Sequence, residues 1–433
     1  MTSPVAARRM WIGANVGTRS NVTDDLIRGD VDVGYGGVAD AFRRNFEERG
    51  EIGAACCVYR EGRKVVDLWG GFRDGTRRLP WEQDTIVTVM SLTKGMAAIP
   101  LALAHSRGLL DFDEMVATYW PEFAQHGKDQ TTVRQLLSHQ AGLPVIDANV
   151  DPDMLDDPDA IAEVLARQVP LWEPGTRHGY HAVSLGLFEA ELLRRVDPQA
   201  RTLGRYFAEE IAAPLDLEFY IGLPDDLPDE RRATLHTPKP SDALKYLHRM
   251  PLRYVAGLVN PRSPTRQALT LPGIPVMADP DIVNRREFLA PELAAINGTG
   301  QVRSVARAYG CLATGGRELG LTHQTLQALE APAVSPTGGV RDAVLRFDTS
   351  YSLGYIKPTS RYWFGTSQGR AFGMPGGGGS MGFADPELGL GYAYAPNRIS
   401  VTLPPDPRST ALEHALYDTI GEPLPRTKQP PRA

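Results

Sequence analysis

The sequence predicts a mixed α/β chain, with antiparallel β-hairpins towards its two ends and a mainly helical middle. Three observations carry this expectation. Residues 52–60 (IGAACCVYR) and 64–71 (KVVDLWGG) are β-rich runs joined by Glu61, Gly62 and Arg63, a hairpin signature that places them in an antiparallel sheet. Residues 380–397 repeat the pattern around Asp385 and Pro386. Between them, residues 145–295 are rich in proline, aspartate and short segments of helical period, such as DPDAIAEVLARQ, SLGLFEAELLRRV and LGRYFAEEIAAPL.

The chain has 433 residues, enough for a large core and two structural units, since single cores seldom grow past roughly 250 to 300 residues. Its 46 basic and 52 acidic side chains are interspersed and leave a net charge of -6. That balance supplies no field for gripping nucleic acid or an anionic membrane, and a small neutral or cationic ligand suits it better. Cys56, Cys57 and Cys311 all lie in apolar runs, as buried thiols of a reducing compartment do. The opening MTSPVAARRMWIGANVG holds no apolar stretch long enough for a signal peptide, and nothing later approaches the roughly 20 residues of a membrane helix. The expectation is a soluble, cytoplasmic protein whose oligomeric state stays open.

Taken in order, residues 1–33 are weakly patterned and read as an extension packed on the outside. Val38, Ala41, Phe42 and Phe46 then recur at helical spacing. After the first hairpin comes TVMSLTKGMAAIPLALAHSRG, residues 88–108, an apolar helix that Gly108 stops. Pro100 inside it predicts a kink. Residues 131–144 set Val133, Leu136 and Leu137 on one face before Gly142 and Pro144 end the segment. Residues 297–316 are a glycine turn into an amphipathic helix, residues 409–421 a closing helix, and residues 425–433 a disordered tail.

Ser91 and Lys94 stand three residues apart at the mouth of the apolar helix, on one face. A serine hydroxyl is a poor nucleophile near neutral pH, and a lysine can take its proton only if burial has lowered the amine pKa. Met96, Ala97, Ala98, Ile99, Leu101 and Leu103 supply apolar surroundings of that kind. Alone, the pair is equally a solvated helix start with serine as N-cap. A second motif resolves the choice. Ser-x-x-Lys, with Leu136–Leu143 (LLSHQAGL) downstream, resembles the serine β-lactamase superfamily in its class C and family VIII carboxylesterase branch. At that position His139 is structural, at a helix C-terminus where an imidazolium and carbonyl acceptors suit each other.

The resemblance spans residues 34–424 and assigns two further elements. In WEPGTRHGYHAVSLG (172–186) a Pro-Gly-Thr turn leads to Tyr180, whose phenol points at the serine in the resembled family. Coupled to Lys94, it would pass the serine proton, because a nearby ammonium lowers a phenol pKa. In FGMPGGGGSMGFADP (372–386), Met374, Pro375 and Gly376 stand where the family has Lys-Thr-Gly or His-x-Gly. The backbone N–H groups of Ser91 and Gly377 would then form the oxyanion hole. A nucleotide-binding glycine loop is the rival reading, but no Gly-Lys-Ser or Gly-Lys-Thr comes after it.

Two departures bear on substrate. Ala182 occupies the place of an asparagine that binds an amide side chain, and Met374 replaces the polar group that helps hold a lactam carboxylate. Anionic lactams lose charge-assisted partners worth roughly 1.5 to 3 kcal/mol each, which argues for neutral esters. His178 and His181 flank Tyr180; their spacing can ligate a metal, but no third ligand is placed, so they line the pocket instead. No metal or cofactor is expected.

The resemblance implies a β-lactamase-like fold, with residues 34–140 and 295–424 forming an antiparallel sheet flanked by helices and residues 141–294 a mainly helical insert. The site lies in the crevice between them. The chemistry implied is ester hydrolysis through an acyl-enzyme on Ser91, with Lys94 and Tyr180 shuttling the proton. His181, Ala182, Met374, Pro375 and Gly376 would contact substrate. An acyltransferase acting on a secondary-metabolite alcohol, a weak β-lactamase or D-peptidase, and a catalytically inactive binding homologue remain as alternatives.

Overall fold

The computed structural model describes residues 9–11, 26–148, 150, 152–238, 250–270, 274, 279–366, 369–400 and 403–424. Its strands are β1 (Arg9–Trp11), β2 (Ile27–Asp32), β3 (Gly53–Arg60), β4 (Arg63–Asp74), β5 (Leu79–Pro80), β6 (Val87–Thr88), β7 (Phe219–Tyr220), β8 (Thr299–Gly300), β9 (Tyr351–Ser352), β10 (Tyr355–Ile356), β11 (Phe372–Pro375), β12 (Met381–Asp385) and β13 (Leu390–Pro396). One antiparallel sheet runs in the order β1-β2-β4-β3-β13-β12-β11-β10-β9, with β5 on β4. Because β3 pairs with β13, the two predicted hairpins meet and close one sheet from both ends of the chain.

The period of two along the strands decides what covers each face. Cys56 and Val58 of β3, Met381 and Phe383 of β12, and Tyr392 and Tyr394 of β13 point to one side. There they pack against Val38 and Phe42 of helix Gly36–Glu48 and Leu412, Leu416 and Tyr417 of helix Pro407–Ile420. The alternate positions Cys57, Ala384, Ala393 and Ala395 are small and face helix Val302–Ala313. Small side chains let that helix lie close: a Cβ on Gly391 would fall 2.1 Å from the Gly310 nitrogen. With both faces covered, β12 and β13 are buried along their whole length.

Residues 27–32, expected in an outer extension, instead form β2 and pair with β4 over Ile27–Val31. The sequence IRGDVD has little apolar alternation, and it is a strand because β4 offers it an open row of backbone donors and acceptors. Residues 12–25 and the predicted tail at 425–433 lie outside the described residues. The three cysteines are free and buried. No helix among the described residues is long and apolar enough to cross a membrane.

The Ser91 helix, Leu92–Ser106, runs without a break through Pro100, and every residue from Leu92 to Ala104 is buried. Its all-round apolar sequence is explained by its place between the sheet and the helices of the insert, among them Ser184–Val196. The insert is helical as expected but adds β7 to a small sheet ordered β6-β8-β7. β6 leads directly into the Ser91 turn, so this sheet ties the insert to the base of the Ser91 helix.

Candidate active site

Ser91 is delivered by a strained turn. Met90, just before it, has φ of +50° without being glycine, a conformation that costs on the order of 1 to 3 kcal/mol and persists only where the surroundings hold it. Here they do. Val89 donates its N–H to the Gly298 carbonyl (2.9 Å) and its own carbonyl accepts from Ser380 Oγ (2.7 Å). The Thr93 hydroxyl donates to the Met90 carbonyl at 2.5 Å and accepts from the Gly298 N–H at 2.8 Å. Ser91 makes no side-chain capping bond to its helix, so the hydroxyl is not spent as an N-cap.

Lys94 is 0% exposed. Its Nζ donates to the carbonyls of Ala182 (2.6 Å) and Ala295 (3.0 Å) and lies 3.3 Å from Ser91 Oγ. Burial brings the amine down to about 7, with the nearby Glu189 carboxyl acting the other way. A neutral amine fits this geometry: two N–H groups serve the two carbonyls and the lone pair is left for the serine proton.

Tyr180 joins them. Lys94 Nζ sits 4.8 Å from the phenol ring centroid, and the Ser91 side chain pulls the phenol pKa down. The expectation that a lysine ammonium would draw this phenol towards ionisation is corrected. Burial dominates, the Asp342 charge adds to it, and the phenol is pushed well above its ordinary value. Tyr180 is therefore a neutral O–H, and Lys94 is the group whose proton affinity has been brought to neutrality.

The Tyr180 backbone is clamped from two sides. The Gly179 N–H donates to the His139 carbonyl and the His181 N–H to His139 Nδ1, each at 3.0 Å. The Tyr180 N–H points the opposite way, to Asp342 Oδ2 at 3.0 Å. His139 has φ of +60° just beyond helix Val133–Leu137 and is structural as expected, but it is not an imidazolium. Burial, together with His181, Lys94 and His178, holds it well below its ordinary value, and Nδ1 acting as acceptor puts the proton on Nε2.

His181, expected to contact substrate, does not reach the crevice. It is 0% exposed, its Nε2 accepts from the Leu143 N–H (3.0 Å) and its Nδ1 donates to the Gly179 carbonyl (2.6 Å). His178 is buried too, with its Nε2 beside the Val340 carbonyl (2.7 Å) and Thr349 Oγ1 (3.1 Å). Both rings lie inside the fold.

The glycine strand end lies against the Ser91 turn. A Cβ on Gly376 would stand 2.2 Å from the Val89 carbonyl oxygen and 3.3 Å from the Leu92 nitrogen, so only glycine lets β11 close on the Ser91 turn. The Gly376 N–H is engaged with the Ser380 carbonyl (2.8 Å). Among the described residues no acceptor is paired with the N–H of Ser91 or of Gly377, which is exposed beside Met90. Pro375 ends β11 half-buried. Met374 and Ala182, expected to contact substrate, are buried at 1% and 3% exposure: Met374 packs against Gly95 of the Ser91 helix, and Ala182 meets the site only through the carbonyl that holds Lys94.

Two groups at the site had no motif to mark them. Asp342 accepts from the N–H groups of Tyr180, Val344 and Leu345 and from Tyr351 Oη. Glu189 is buried below Lys94, and neither carboxyl oxygen has a hydrogen-bond partner among the described residues. Tyr180 and Leu345 pack against a buried apolar cluster of Val145, Ala268 and Val344.

The same arrangement of chain is found in known proteins. The chain is 32% identical over 377 residues to the esterase/β-lactamase LipL of Mycobacterium tuberculosis, covering 86% of this chain and 83% of that one. A crystal structure of a family VIII carboxylesterase superposes with a TM-score of 0.78 at 36% identity, covering 91% of this chain and 99% of that one. EstA from Arthrobacter nitroguajacolicus gives a TM-score of 0.76 at 31% identity, covering 90% and 98%. The profile of the β-lactamase family matches residues 38–415. With a match of that span the chain belongs to the β-lactamase family of serine hydrolases, with esterases among its relatives.

Proposed function

We propose that the protein hydrolyses small neutral carboxylic esters through an acyl-enzyme on Ser91. The observation that carries this reading is the buried Lys94 amine, held by the Ala182 and Ala295 carbonyls with Ser91 Oγ 3.3 Å away. In its neutral form that amine takes the Ser91 proton as Oγ attacks the ester carbonyl carbon. The developing oxyanion is received by the N–H groups of Ser91 and Gly377. As the C–O bond to the alcohol breaks, the Tyr180 phenol gives its proton to the departing oxygen and is recharged from the Lys94 ammonium. Water then repeats the sequence on the acyl-enzyme and releases the acid.

A neutral substrate is supported by the lack of any polar group at positions 182 and 374, where buried alanine and methionine stand, and by the buried apolar cluster of Val145, Ala268 and Val344 on which Tyr180 and Leu345 pack. A carboxylate desolvated against such a wall lacks charge-assisted partners. The test is hydrolysis of a short-chain p-nitrophenyl ester by the wild type and by Ser91→Ala, with mass detection of the acyl adduct. The expected result is an adduct on Ser91 and loss of nearly all turnover in the folded variant. Unchanged turnover removes Ser91 from the mechanism.

A further inference from the structure

Asp342 is almost completely buried, yet its two carboxylate oxygens are fully engaged. Oδ1 accepts from the N–H groups of Val344 (2.7 Å) and Leu345 (2.6 Å), which fixes the loop contributing to the apolar wall. Oδ2 accepts from the Tyr180 N–H (3.0 Å) and from the Tyr351 hydroxyl (2.9 Å). The Tyr351 ring in turn lies nearly parallel to that of Tyr180, 14° between planes and 6.0 Å between centroids, and meets His139 edge-on at 4.3 Å. One carboxylate thus holds the reacting phenol by its backbone and by the ring stacked behind it. Burial raises the Asp342 carboxyl from its ordinary value while the Leu345 and Val344 N–H groups draw it back, and in its ionised form its charge adds to burial in opposing loss of the phenolic proton.

A carboxylate so placed favours one role for the phenol over another. It disfavours a phenolate that would act as the base, and it favours a phenol that keeps a proton to give. A proton donor at the departing oxygen matters little when the leaving group is already a stable anion, and matters greatly when it is an alkoxide. Building on the ester reading above, we propose that Asp342 is a positioning residue that holds Tyr180 as the acid for the leaving alcohol, which makes this a site for esters of unactivated aliphatic alcohols. The step balances: the C–O bond to the alcohol breaks, the Tyr180 O–H proton goes to the alkoxide oxygen, and the phenol recovers a proton that Lys94 took from Ser91. Ser91 ends acylated and the free alcohol departs.

The experiment compares two esters of the same short acid, ethyl and p-nitrophenyl, as the ratio of their kcat/KM values in the wild type, Asp342→Asn and Tyr351→Phe. Displacing the phenol should slow the ethyl ester far more than the p-nitrophenyl ester, so the ratio shifts against the ethyl ester by at least about tenfold in Asp342→Asn. Tyr351→Phe removes only one of the tethers and should shift the ratio the same way by a smaller factor, which serves if Asp342→Asn does not fold. A merely structural role would slow both esters alike, so a wild-type ratio in a folded variant overturns the proposal. A wild type that hydrolyses neither ester overturns the ester reading itself, a result distinct from an active wild type whose variants keep its ratio.

Discussion

His139 Nδ1 accepts the backbone N–H of His181 at 3.0 Å, across a gap of 42 positions in the chain. This contact joins the Leu-Leu-Ser-His-Gln segment to the Tyr180 segment and fixes the tautomer of a buried ring. The His139 carbonyl takes the Gly179 N–H as well, so the residues on either side of Tyr180 hang from one histidine. Replacing His139 by alanine leaves the His181 N–H buried without an acceptor and opens a cavity beside the Tyr180 ring. The expected loss is about 2 to 4 kcal/mol of stability, read by denaturant unfolding. The displaced phenol should lower kcat at least about tenfold with a smaller change in KM. A variant as active as the wild type would remove His139 from the support of Tyr180.

The same histidines make the fold sensitive to acid. His181 is held down to about 3 by burial, and His139 is depressed too, so both stay neutral in the folded chain while their unfolded counterparts protonate near 6.5. Where the folded pKa is depressed, stability is complete above the unfolded value and is lost as pH falls below it. The slope is up to about 1.4 kcal/mol per pH unit for each buried ring. Unfolding free energy measured from pH 7 down to pH 4 should therefore fall, starting near pH 6.5. A flat profile across that window would show that these rings become charged without unfolding the chain.

The parts of the site that can be read directly from sequence are those confined to one segment. Ser91 and Lys94 share a helix face by spacing alone, and Tyr180 is marked by the resemblance of its Pro-Gly-Thr turn to that of the family. Helix Ser184–Val196 and the β12–β13 hairpin are legible because their apolar period is strong. The remainder depends on tertiary meetings. Asp342 acquires its role only because a distant loop folds back onto the Tyr180 backbone, and nothing near residue 342 signals that. Adjacency to Tyr180 puts His181 in the crevice, whereas its ring turns inward to Leu143 and Gly179. The ionisation of Tyr180 escapes a sequence reading because burial outweighs the lysine, and burial is a property of the folded molecule.

Lys94 sets the pH at which the proposed hydrolysis begins. With the amine brought to about 7 by burial, kcat/KM for a neutral ester should rise as pH passes through neutrality, as Lys94 loses its proton and becomes able to accept that of Ser91. Lys94→Met, of similar length and without an amine, should reduce kcat/KM by about 100-fold to 10,000-fold while preserving the apolar packing of the helix. An acid limb centred near pH 4 to 5 would point to a carboxylate base and exclude the lysine.

Glu189 presents the opposite sign. It lies on helix Ser184–Val196 facing Lys94, with the Gly354 backbone beside it: a Cβ on Gly354 would stand 3.2 Å from Glu189 Oε1. Tyr355 lies within its electrostatic reach, and among the described residues the Tyr355 hydroxyl, like both Glu189 oxygens, has no partner. Burial raises this carboxyl well above its ordinary value of 4.5, with Lys94 drawing it partly back. A raised carboxyl contributes its stability below the unfolded pKa and loses it as pH climbs, by up to about 1.4 kcal/mol per pH unit. Glu189→Gln keeps the shape of the protonated acid but cannot ionise in the unfolded chain. It should match the wild type near pH 4.5 and become progressively more stable than it towards pH 8. Denaturant unfolding of both proteins at the two pH values decides the matter, and a stability difference that does not change with pH would mean that Glu189 is ionised inside the fold.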